Sequence, residues 1–94
     1  MATNDELDGL RLAVDAADRA LMDALEQRLA AVRAVAAWKR AHGVAAVDPT
    51  REAALRGQWA ERAAAAGVPV EMADEVLAAV LDGCRAEVAR LVGG

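Results

Sequence analysis

Four basic residues have types and spacings that could do chemistry: Arg11, Arg28 and Lys39 in one unbroken stretch, and Arg51 in the next. Arg28 and Lys39 are 11 residues apart. On an α-helix that separation turns the side-chain direction by only ~20° and advances it by ~16 Å. Two long cationic side chains on one face can reach the two ends of a single small anion. Arg11 precedes Arg28 by 17 residues, which is ~25 Å along the same axis. It cannot join them within one chain, but it could from an antiparallel partner. Arg51 lies in VDPTRE, residues 47 to 52. Asp48-Pro49 reads as a helix start, with Asp as N-cap and Pro at the first helical position, where its missing N–H costs nothing. Glu52 suits the positive end of the helix dipole. Arg51 opposes it, at a cost of roughly 0.3–1 kcal/mol when exposed, and stands where a capping box would place Glu or Gln. Arg51, at the start of this second helix, could complete the cluster of cations.

Each of these residues also has an ordinary reading. Arg and Lys on helices snorkel along apolar surface into water, and Asp48 can be a cap and nothing more. Cys84 reads as a small core residue, Trp38 and Trp59 as packing, and His42 as a cation at a helix C-terminus. There is no Cys/His cluster, no phosphate-cradling Gly loop and no Ser-His-Asp pattern, so the sequence supports no metal, no nucleotide, no cofactor and no covalent mechanism.

The elements that must position these groups are helices. The β signal is poor, whereas Leu7, Leu10, Val14, Ala17, Leu21, Leu25, Leu29, Val32 and Val35 step by 3 or 4 residues along one stripe. The first helix is predicted over about residues 5 to 42, with Asn4 or Asp5 as its cap, Lys39, Arg40 and His42 in its last turn and Gly43 as its stop. The second runs from Pro49 to about Ala66 and ends at Gly67; the third runs from near Val70 to about Leu91, with Val92-Gly93-Gly94 fraying. The fold class is all-α, and at 94 residues a single domain, residues 1–94, is expected. A helix from 5 to 42 would be ~57 Å long, against a radius of gyration of ~12 Å for a compact chain of this size. Its apolar stripe runs nearly the whole way, and two shorter helices cannot cover it. The simplest cover is a second copy, in an intertwined homodimer. A core of Ala, Leu and Val, with Trp38 and Trp59 as the only aromatic residues, buries little area per residue and fits a chain that gains stability by association.

A net charge of −4 argues against nucleic acid or an anionic membrane as partner. The lone Cys84 cannot form an intrachain disulfide, which favours the cytoplasm. The acidic start MATNDELDG is not a secretory leader, and no apolar run is long enough to span a bilayer.

Taken together, LDGLRLAVDAAD around Arg11, LEQRLAAVRAVAAWKRAHG around Arg28 and Lys39, and VDPTRE make the chain resemble the all-helical (AroQ-class) chorismate mutases over roughly residues 5 to 91. The third helix matches less well. The resemblance implies an intertwined dimer with two active sites, each using Arg11 of the other chain, and the Claisen rearrangement of chorismate to prephenate in aromatic amino acid biosynthesis. It implies that Arg11, Arg28 and Arg51 hold the substrate's carboxylates, Lys39 donates to the ether oxygen, and Asp48 and Glu52 meet the ring hydroxyl or nearby polar groups. Cys84 and Val88 would line the same site, where many members have Ser and Gln or Glu. Val88 cannot supply the second hydrogen bond to the ether oxygen, and Glu87 points ~100° away on a helix. Losing one transition-state donor can cost about 10²–10³ in rate, so the resemblance implies a mutase that is weak alone, with an activating protein partner as one remedy. Gly83, at roughly 1 kcal/mol against Ala in a helix interior, is easier to understand if something packs closely on it. Two other readings stay open: a mutase or lyase acting on 4-amino-4-deoxychorismate or isochorismate, and a non-catalytic dimeric binding module.

Overall fold

A computed structural model describes residues 2–92, with the side chains of residues 4–91. Three α-helices follow in order: α1 over Ala2–His42, α2 over Pro49–Ala66 and α3 over Val70–Val92. There is no strand among the described residues. The predicted limits of α2 hold at both ends. α1 begins earlier than expected, so Asn4 and Asp5 lie inside the helix and do not cap it. Ala has the best helix propensity of any residue, and Asp5, in the first turn, suits the dipole instead. Val92 continues α3, and the expectation for Gly93 and Gly94 lies outside the described residues.

The helix ends follow from local chemistry. Asp48 has extended backbone and accepts a hydrogen bond from the Arg51 amide at 3.1 Å, with Pro49 at the first helical position. Gly43 and Gly67 take φ of 65° and 74°, the left-handed cap that glycine adopts without a Cβ penalty. The Val44 and Val68 amides then reach back to the Lys39 and Ala63 carbonyls, both at 2.9 Å, satisfying acceptors that each helix would leave open.

The chain divides into two compact units, Met1–Ala31 and Val32–Gly94, and the division falls inside α1 rather than in a linker. Among its described residues the first unit is helix alone. Its apolar residues Leu7, Leu10, Val14, Leu21 and Leu25 are exposed, Leu21 to 60%. A single helix has no interior, so the predicted stripe forms without a core of its own.

The second unit carries the core. Ala73, Leu77, Leu81 and Cys84, spaced by 4, 4 and 3 residues, form the buried stripe of α3 and are joined by Ala36 of α1 and Ala63 of α2; Leu77 is wholly buried. Cys84 is therefore the small core residue its type suggested. Trp59 is half-buried, but Trp38 is 55% exposed and stacks on His42, with ring centroids 4.1 Å apart. The His42 Nδ1–H donates to the Trp38 carbonyl at 2.7 Å, so His42 closes the end of its own helix.

Nothing within 4 Å would meet a Cβ built on Gly83, so the close packing expected there is not found in this chain. With open space and helical backbone, Gly83→Ala is expected to stabilise the chain by about 0.5–1 kcal/mol, read as a higher urea midpoint. A loss instead would place another surface against α3 at this point.

Candidate active site

In the first unit, Arg11 is exposed and lies 3.8 Å from Asp8 one turn earlier, an ion pair too solvated to hold it in place. Arg28 is half-buried. The remaining candidates belong to the second unit. Lys39 is half-buried near the end of α1, and its Nζ donates to the Ala46 carbonyl at 3.2 Å. That contact brings the ammonium to the loop two residues before the Asp48 cap. An ammonium has three donors, so two protons of Lys39 remain for another acceptor. Arg51, at the third position of α2, gives its amide to Asp48, while its exposed guanidinium has no ion-pair partner among the described residues. Lys39, Asp48 and Arg51 thus gather at the junction of α1 and α2.

Glu52 is held from α3. Arg85 Nε donates to its Oε1 at 2.9 Å, and Nη2 lies 2.5 Å from Oε1 and 2.6 Å from Oε2. Arg85 Nη1 also donates to Asp82 Oδ1 at 2.6 Å. Sequence reasoning did not give Arg85 a place in the site. Its only local signal was Asp82 one turn before it, and the link to Glu52 spans 33 positions. On the other flank of α3, Glu87 pairs with Arg90 and lies 3.5 Å from Arg33 of α1. Glu87 and Arg85 diverge by ~160° around the helix, so α3 ties itself to α1 on one side and α2 on the other. Val88, half-buried, continues the core stripe four residues beyond Cys84. Glu87 is thus committed elsewhere, and the side chain next along the stripe is one that cannot hydrogen-bond.

The Arg85 hydrogen bonds hold the Glu52 carboxyl below the usual carboxylate range, against a smaller opposing effect of desolvation. The Arg90 hydrogen bond does the same for Glu87, with Arg33 adding its charge. Both groups bind protons less readily folded than unfolded. Their contribution to stability is present above the ordinary value of 4.5 and is lost as pH falls through their lowered folded values. Urea midpoints are expected to stay level down to about pH 5 and then fall. The fall should be shallower in the Glu52→Gln, Glu87→Gln double variant.

Among the described residues no group of His, Cys, Asp and Glu could hold a metal ion. What the second unit offers is hydrogen-bond donors and cations at a helix start, together with an ionised carboxylate fixed in direction. That suits binding and orienting an anionic molecule that also presents a hydrogen-bond donor.

The family described as chorismate mutase type II matches residues 10–88. The chain belongs to this family. The match takes in Arg11, Arg28, Lys39, Asp48, Arg51, Glu52, Cys84 and Val88. Two curated proteins are similar. A T-protein of Enterobacter agglomerans is 37% identical over 76 residues, which cover 81% of this chain and 20% of that protein. A 4-amino-4-deoxychorismate mutase of Streptomyces pristinaespiralis is 40% identical over 67 residues, 71% of this chain and 52% of that protein. The chain therefore spans about a fifth of one relative and half of the other. No solved structure matches. The all-α architecture agrees with the family, and no helix among the described residues is long and apolar enough to cross a membrane.

Proposed function

We propose that the 94 residues act as a chorismate mutase domain that rearranges chorismate to prephenate as a homodimer. The observation that carries this reading is the family match across residues 10–88 with every cation of the Arg, Arg, Lys, D-x-x-R-E pattern in place. The reaction is unimolecular and pericyclic. An ether C–O bond breaks as a C–C bond forms, so no nucleophile, general base or cofactor is required. Holding the flexible dicarboxylate in its compact conformer removes much of the entropic barrier. Guanidinium–carboxylate pairs suit that task. Arg28, Arg51 and the partner's Arg11 would hold the carboxylates. Lys39 would donate to the ether oxygen, where negative charge grows in the transition state. Glu52, ionised, would accept from the ring hydroxyl. Asp48 would keep the start of α2 in shape and meet the same end of the substrate, and Cys84 and Val88 would line the apolar side.

The homodimer accounts for the exposed apolar stripe of α1, which a second copy would cover. The deciding experiment is the loss of chorismate's ultraviolet absorbance with purified protein, with the product identified by chromatography. Prephenate supports the reading. No turnover of chorismate, with turnover of 4-amino-4-deoxychorismate, favours the second reading, which the Streptomyces relative and Val88 motivate. Binding without turnover of either favours a non-catalytic module. Val88→Gln restores a donor in a half-buried position and is expected to raise kcat for chorismate by about ten-fold, measured in the same assay.

A further inference from the structure

The Arg85–Glu52 pair differs from an ordinary surface ion pair in three ways. It joins the first turn of α2 to α3 across 33 positions, and the Glu52 side chain keeps only 21% of its exposure. Asp82 braces Arg85 through Nη1 at 2.6 Å, so each of the three guanidinium nitrogens already faces a carboxylate oxygen. The two Glu52 oxygens are used unequally: Oε1 accepts from Nε and Nη2, whereas Oε2 accepts from Nη2 alone. A carboxylate oxygen has about two acceptor directions, so Oε2 keeps one open.

We propose that Arg85 is a positioning residue. Braced by Asp82, its fork fixes the Glu52 carboxylate so that Oε2 can accept a hydrogen bond from the hydroxyl of the substrate. The identity of that substrate rests on the chorismate mutase reading; the coupling of Arg85 to Glu52 does not. The charged groups around Glu52 are Arg85 and Asp82 from α3, with Arg56 of α2 and its cap Asp48. Arg85 makes the closest contacts, and its planar fork sets direction as well as charge. Lys in its place would keep the charge and lose the direction.

The test compares Arg85→Gln, Arg85→Lys, Glu52→Gln and the Arg85→Gln, Glu52→Gln double variant in the full chain. It reads kcat and KM for chorismate against pH, and the Glu52 carboxyl titration by NMR. Arg85→Gln is expected to lower kcat/KM by about ten-fold and to move both the Glu52 titration and the acid limb of kcat/KM to higher pH. Arg85→Lys should recover part of the loss, and the double variant should be no slower than Glu52→Gln alone. A double variant that loses the product of both single factors would mean that Arg85 touches substrate directly, which overturns the proposal. An unmoved Glu52 titration in Arg85→Gln overturns it as well, and needs no turnover to be read. Wild-type turnover is the separate control for the substrate. If chorismate is left untouched while the titration moves as expected, the mutase reading fails and the coupling stands. Arg85→Ala, which also removes the charge, serves for the same titration should the Gln variant not fold.

Discussion

Replacing Lys39 with Ala is expected to lower kcat/KM for chorismate by about 10²–10³-fold, or roughly 3–4 kcal/mol of transition-state stabilisation. With Val88 unable to donate on α3, Lys39 is the remaining side chain assigned to the ether oxygen, so no neighbour can take over. The loss should fall on kcat more than on KM, because charge on that oxygen develops in the transition state and is small in bound chorismate. Lys39→Arg should recover little, since a planar fork cannot put a compact donor at the same point. Lys39 also holds the Ala46 carbonyl. The Ala variant should therefore be checked by circular dichroism and urea midpoint, since a lost loop contact would shift the midpoint without this kinetic signature. A Lys39→Ala protein that keeps its kcat would remove Lys39 from the ether oxygen.

The second large effect is a recovery. Arg11→Ala and Lys39→Ala are each expected to be nearly inactive. Unfolded together and refolded as a mixture, they should regain about a quarter of wild-type activity. Random pairing makes half of the dimers mixed, and each mixed dimer has one intact site of its two. The intact site uses Lys39 of one protomer and Arg11 of the other. If Arg11 served its own chain, every site in the mixture would lack one residue, and no activity would return. Arg11→Ala removes only an exposed ion pair with Asp8 and introduces the best helix former, so the helix itself should not suffer. Size-exclusion chromatography of the wild type reads the dimer independently.

Much of the fold was legible because helices are local. The 3-and-4 spacing of apolar residues, Asp48-Pro49 at one start, and Gly43 and Gly67 at two ends mark α1, α2 and their limits through interactions only a few residues long. The start of α1 was less legible, because Asn4 and Asp5 are good caps by type and the helix runs on through Ala2. Of the candidate site, the cationic pattern was readable as spacing, and Asp48 could be placed as a cap because its partner is the amide three residues later.

The sequence by itself determined the all-α class, the three helices, and the Arg11, Arg28, Lys39, Asp48, Arg51 and Glu52 pattern that places the chain in its family. Each of these depends on residue type and on separations that helical geometry converts directly into direction. Only the tertiary structure decided which carboxylates meet which guanidinium groups. Arg85 takes Glu52 rather than leaving it open, Glu87 turns to Arg33 and Arg90, and Val88 extends the core stripe. The physical reason is that these pairings depend on how α2 packs against α3 and on where the end of α1 brings Arg33. The α2–α3 packing buries Leu77, Leu81, Cys84 and Ala63, side chains whose apolar types do not encode a partner.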